Sequence, residues 1–198
     1  MTALEDVPAT AGTLCAGWTA LDLAAHVVAR ERRPDSTPGL VLPLLAGWTD
    51  RVRAGYARRP YPELIRLIAE GPPRTSLFAL PGVDAAANLT EFLVHTEDVR
   101  RAQPGWTPRD LDPGLREAVW TGLRRSGRLL LRRCPVGVVL ATDGGRRHVA
   151  RTGDPAVTLT GAPEELLLLV AGRSGHARVE VTGPDDAVAA FRRAPLGL

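Results

Sequence analysis

A chain of 198 residues, 44% hydrophobic and 24% charged, has the balance of a globular protein of one or two small domains, which excludes wholesale disorder. Its longest apolar run, LLLLVAG, is far too short for a bilayer, and MTALEDVPAT has neither the basic start nor the apolar stretch of a secretory signal; a cytoplasmic protein with no membrane partner is expected. The net charge of +3 rests on arginine alone, in pairs (Arg58–Arg59, Arg100–Arg101, Arg124–Arg125, Arg132–Arg133) scattered among acidic residues, and aromatics at 5% offer few stacking surfaces, so no nucleic-acid partner is expected.

In chain order, WTALDLAAHVVARERR opens with Thr19 as N-cap and Asp22 three residues on, a capping box. Leu21, Ala24, Ala25 and Val28 supply an apolar stripe at helical spacing, and RRPDSTPG ends it. LVLPLLAGWTDRVRAGYARR reads as a second helix, with Pro43 marking its start or a kink. YPELIRLIAEG is a short helix stopped by Gly71, and RTSLFALPGV an irregular loop. NLTEFLVHTEDVRRA is helical up to QPGW, and LDPGLREAVWTGLRRSGRLLLRR is a long helix with Asp112 as cap and Pro113 in its first turn. These helices predict an N-terminal bundle over residues 1–133.

From Cys134 the period changes. VGVVLAT is β-rich and runs into the turn Asp143-Gly144-Gly145; RHVAR and AVTLT are two more short strands. APEELLLLVAG is a helix with Gly172 as its stop, ARVEVTG a fourth strand and PDDAVAAFRR a terminal helix. Residues 134–198 therefore predict a small α+β domain, and the chain as a whole belongs to the α+β class. The cysteines, Cys15 and Cys134, are too far apart in sequence for a metal-binding pair and make no disulfide framework; both are expected to be reduced thiols.

Chemistry concentrates in NLTEFLVHTEDVRRAQPG. Glu91 and His95 are four residues apart, one helical turn, and leave the same helix face, with Asp98 three further on. Such a pair serves either as metal ligands or as a solvated polar stripe, and the spacing alone does not choose. Metal sites in bundles draw ligands from facing helices, and His26, flanked by Ala25 and Val27 on an apolar helix, is the natural third donor. His148 and His176 fall in the α+β part. Two histidines and a carboxylate also compose the facial triad of non-haem iron oxygenases, but those triads sit on β-barrels. A serine hydrolase is disfavoured, since no G-x-S-x-G occurs.

Together, TLCAGWTALDLAAHVVARE, NLTEFLVHTEDVRRAQPGW and VTLTGAPEELLLLVAGR resemble the actinobacterial mycothiol-dependent maleylpyruvate isomerase family, within the wider DinB-like superfamily of metal-binding four-helix bundles. The resemblance spans nearly the whole chain and is nearest to an uncharacterised metal-binding branch; where the family has a full first helix, this chain has only TALEDV. It implies a DinB-like four-helix bundle followed by a domain of sterol-carrier-protein fold. It implies His26, Glu91 and His95 as ligands of a divalent metal, zinc above all, with a position left for water or a thiol.

The activity implied is metal-assisted isomerisation or thiol transfer, with mycothiol as co-substrate and a small electrophile as substrate. A non-catalytic metal- or ligand-binding protein of regulatory or stress function is the alternative. Arg173, in AGRSGH, is expected as a catalytic residue holding a substrate carboxylate. Asp98 is expected either to orient a ligand histidine or to pair with Arg101 or Arg30, and Trp18 and Trp106 to anchor packing. A monomer or homodimer is expected.

Overall fold

The computed structural model describes residues 2–33, 35–36, 43–73 and 85–197. Its helices are α1 (Thr2–Glu5), α2 (Ala20–Arg32), α3 (Ala46–Tyr56), α4 (Tyr61–Glu70), α5 (Ala85–Arg100), α6 (Pro113–Leu130), α7 (Pro163–Val170) and α8 (Asp185–Arg193). Its strands are β1 (Gly137–Ala141), β2 (Arg147–Arg151), β3 (Ala156–Thr160) and β4 (Glu180–Thr182). The α+β class is as expected. The contacts divide the chain into two units: Met1–Ala85 with His95–Pro108, and Ala86–Val94 with Arg109–Leu198.

In the first unit α2 is buried almost all round. The Thr19 hydroxyl accepts from Asp22 N at 3.3 Å and the Asp22 carboxylate from Thr19 N at 3.1 Å, so the capping box forms as the sequence requires. Ala20, Ala24 and Ala25 carry no bulk and let neighbouring chain approach closely; Leu4, Leu23, Val28, Leu64 and Val99 complete the apolar cluster. The TALEDV segment contributes one turn, α1, whose Leu4 is 1% exposed and whose Leu4 carbonyl accepts from the Tyr61 hydroxyl at 2.6 Å. Pro43–Leu45 is a 3₁₀ turn leading into α3, so the proline marks an entry and not a kink. Arg32 Nη2 donates to the carbonyls of Leu67 and Gly71, both at 3.2 Å, and closes the C-terminus of α4. The expected loop RTSLFALPGV lies outside the described residues.

Glu31, near the end of α2, is 4% exposed, and burial pushes its carboxyl up to about 7, with Arg30 and Arg32 pulling it the other way. At low pH the group is neutral in folded and unfolded chains alike. As pH rises from 4.5 through about 7 the folded state must accept a buried charge that the unfolded chain carries in water, and stability falls. Glu31→Gln removes this term. Denaturation in urea at about pH 5 and about pH 8 is expected to show the variant gaining on the wild type by on the order of 3 kcal/mol across that range. Parallel pH profiles would show that Glu31 has no such role.

In the second unit Asp112 caps α6 by accepting from Leu115 N at 2.9 Å, with Pro113 at N1. The sheet order is β2-β1-β3-β4. β1 pairs antiparallel with β2 through the Asp143–Gly145 turn, parallel with β3, and β3 pairs antiparallel with β4. Gly145 takes φ +80°, the left-handed backbone this turn needs. Alternation along β1 and β3 sends Val138, Leu140, Val157 and Leu159 into one core with Val119, Trp120 and Leu123 of α6, the wholly buried α7, and Phe191 of α8. α6 thus shares the core of the strands, although the change of period at residue 134 comes after it; periodicity and packing divide the chain at different places. Arg116 of α6 donates to Glu164 of α7 at 3.0 Å. Gly137 and Gly153 lie backbone against backbone: a Cβ on Gly137 would stand 2.2 Å from the Gly153 carbonyl oxygen.

Candidate metal centre

Glu91, His95 and Asp98 lie on the one continuous helix α5, so their relation is set by helical spacing. His26, in the middle of α2, belongs with His95 to the first unit. The two imidazoles meet edge to face, centroids 5.1 Å apart at 78°. Each histidine is 8% exposed; Glu91 is half-buried. The candidate ligand atoms of His26, Glu91 and His95 all lie within 4.8 Å of one another. Two imidazoles and a carboxylate, this close and largely withdrawn from water, are a donor set that suits a divalent metal. The same donor set serves zinc, iron and other divalent metals.

Behind His95 stands Asp98, fully buried, whose Oδ2 lies 2.9 Å from His95 Nδ1. A carboxylate accepts only, so this contact places the proton on Nδ1 and sets the ring to ligate through Nε2. Of the two roles expected for Asp98, orienting a ligand histidine has this contact to support it. Arg101 directs its Nε to Glu97 at 2.6 Å and lies over the Trp106 ring at 4.7 Å, and Arg100 Nη1 reaches the same carboxylate at 2.9 Å. These residues lock the last turns of α5.

The Asp98 Oδ2 also accepts from Cys15 Sγ at 3.2 Å. Cys15, His95 and Asp98 form a second close group of donor atoms. Its geometry is not that of a thiol protease triad: the carboxylate stands in the middle, where activation of a cysteine requires the imidazole there. Nothing in the sequence flagged Cys15, which is 83 positions from Asp98. Trp18, expected as a packing anchor, packs on a candidate ligand, its ring 5.2 Å from that of His26, with the Arg53 guanidinium 4.8 Å from the indole centroid. Arg53 in turn pairs with Asp22 of the capping box at 2.9 Å.

Arg173 lies in the second unit, half-buried just after α7, and its Nη1 donates to the Ala171 carbonyl at 2.6 Å. His148 is on β2 and His176 in the single turn Ser174–His176. Among the described residues no helix is long and apolar enough to cross a membrane.

No family model matches the chain, and no curated protein matches it. Among solved structures, the crystal structure of the mycothiol-dependent maleylpyruvate isomerase is similar, with a TM-score of 0.54 over 91% of this chain and 85% of that one, at 18% identity. At that identity the likeness is one of fold.

Proposed function

We propose that the chain binds a divalent metal, zinc, through His26, Glu91 and His95, and is an enzyme that uses mycothiol or a related low-molecular-weight thiol in isomerisation or thiol transfer. The observation that carries this is the meeting of the three donor atoms within 4.8 Å, with a buried carboxylate behind one of them. The fold shared with an enzyme named for its dependence on mycothiol supports the thiol. In the same proposal residues 1–133 are a DinB-like metal-binding bundle, residues 134–198 a sterol-carrier-protein-like domain, and the protein works in the cytoplasm as a monomer or homodimer.

A zinc ion held by His26, Glu91 and His95 would supply Lewis acidity that favours the deprotonated form of a thiol. The chain's own residues do the rest. His26 and His95 would present neutral nitrogen donors and Glu91 a single negative charge, a set that would leave a divalent ion with net positive charge. Three protein donors, against the four of a closed zinc site, leave room for one exchangeable partner. Asp98 keeps the His95 ring from turning. Arg173 offers a planar fork suited to a substrate carboxylate.

The deciding experiment is a comparison of zinc-loaded and chelator-stripped protein with mycothiol and a cis α,β-unsaturated carboxylic acid, with the trans isomer and the thiol adduct separated and measured by chromatography. Thiol-dependent turnover in the zinc form alone is expected, with Arg173→Leu raising KM for the acid. Tight zinc binding without any thiol chemistry would assign the chain to metal-binding proteins that do not turn over.

A further inference from the structure

We propose that Cys15 is a positioning residue for His95, and that the Thr13–Trp18 turn which carries it braces both candidate histidine ligands from outside. The proposal deepens the metal-binding function above and rests on it.

The turn is built from its own backbone. Trp18 N donates to the Cys15 carbonyl at 2.9 Å, and Gly17, third of the four residues so closed, has φ +76°, a conformation that a side chain would oppose. Thr13 seals the base: its N donates to the Trp18 carbonyl at 3.2 Å, and its Oγ1 contacts the same carbonyl at 3.0 Å and the Cys15 N–H at 3.2 Å. The turn is then clipped to α5 at one residue, twice. Leu14 N donates to the Asp98 carbonyl at 3.0 Å, and Cys15 Sγ to Asp98 Oδ2 at 3.2 Å.

Asp98 Oδ2 is thus shared by the thiol and by His95 Nδ1. Asp98 is fully buried, so water cannot replace a lost donor, and the carboxylate's orientation depends on the donors that the protein supplies. With the thiol in place the oxygen is held from two directions. Without it the oxygen that orients His95 loses one of those two directions, and the tautomer and tilt of His95 are less tightly set. Three residues further on, Trp18 lies against His26. One six-residue connection therefore sets the outer boundary of both imidazoles, one through a hydrogen-bond relay and the other through ring contact.

A thiol at this position has an ordinary alternative role as a small apolar filler, and substitutions separate the two. Cys15→Val preserves apolar volume and removes the donor; Cys15→Ser preserves a donor; Cys15→Ala serves if the valine does not fold. Two readouts are taken: the long-range nitrogen-15 to proton pattern of His95 in metal-free protein, and zinc affinity by competition with a chromophoric chelator. The wild type and Cys15→Ser are expected to show one Nδ1–H tautomer. Cys15→Val is expected to show a tautomer mixture and to bind zinc about tenfold more weakly, the low end of what losing support behind a ligand costs.

Wild-type behaviour of Cys15→Val in both readouts would overturn the proposal. So would equal damage in Cys15→Ser and Cys15→Val, which would make the role one of volume. A wild type that takes up no zinc would sink the metal-binding function, and the metal-free His95 pattern would still decide whether Cys15 holds the ring.

Discussion

Protein carrying His95→Ala is expected to purify without zinc where the wild type carries about one ion per chain. A protein zinc site is worth about 10–16 kcal/mol over its ligands, so each one accounts for a few kcal/mol, and losing one weakens binding by on the order of 10²–10³-fold. His26→Ala is expected to lose the ion as well, but the two variants should differ once metal is removed. His95→Ala strips a buried carboxylate of one of its donors, because Asp98 is fully buried and faces His95 Nδ1 at 2.9 Å. The metal-free His95→Ala chain should be less stable than the metal-free wild type by about 1–3 kcal/mol. His26 packs against the rings of Trp18 and His95, and its loss removes ring contacts each worth about 1 kcal/mol or less. Elemental analysis and denaturation of stripped protein measure the two effects separately. Undiminished zinc in either variant would remove that residue from the ligand set.

The largest effect on stability is expected from a single methyl group. In Gly137→Ala the new Cβ would stand 2.2 Å from the Gly153 carbonyl oxygen and 2.9 Å from the Ala156 Cβ. Neither obstacle is the far end of a flexible side chain, so relief requires moving the start of β1 away from the chain that leads into β3. That motion disturbs the register in which Gly137 sits opposite Ala156 and the bond from Gly137 N to the Pro155 carbonyl at 3.0 Å. Overpacking of an ordinary core costs about 1–3 kcal/mol, and a backbone obstacle places this case at about 4 kcal/mol or more. Gly144→Ala is the control: its Cβ would meet only the Thr142 Oγ1, at 3.9 Å, and a change within about 0.5 kcal/mol is expected. Similar denaturation midpoints for the two variants would refute the close approach.

What the sequence announced, and what it hid, follows the range of the interactions concerned. The Thr19–Asp22 capping box, the Asp112-Pro113 start of α6, the Asp143–Gly145 turn and the strands RHVAR and AVTLT are specified by residues within a few positions of one another, and all form. The i,i+4 relation of Glu91 and His95 is equally local. His26, awkward on an apolar helix, is the third donor that the family resemblance implies, and its ring meets that of His95. The Cys15–Asp98 contact is different in kind. It joins a turn to a helix 83 positions away, and neither residue carries a local sign of the other. α6 likewise looks like one more helix of a bundle until Val119, Trp120 and Leu123 are seen to share a core with the strands. Its apolar stripe says that it is buried; the partner that buries it is a tertiary fact.

Each of the four indoles lies beneath a guanidinium: Trp18 under Arg53, Trp48 under Arg33, Trp106 under Arg101 and Trp120 under Arg146. A fixed charge over the ring tunes the energy of its excited state, so the chain's ultraviolet emission reports on arginine placement throughout. For Trp18 the ring of His26 is a second neighbour at 5.2 Å, and the emission of that indole must respond to whatever changes the charge or electron spin of the imidazole. An open-shell ion such as cobalt would quench it, while closed-shell zinc would shift it with little loss of intensity. Binding of an ion at His26 would thereby be visible in the protein's own light, without an added dye.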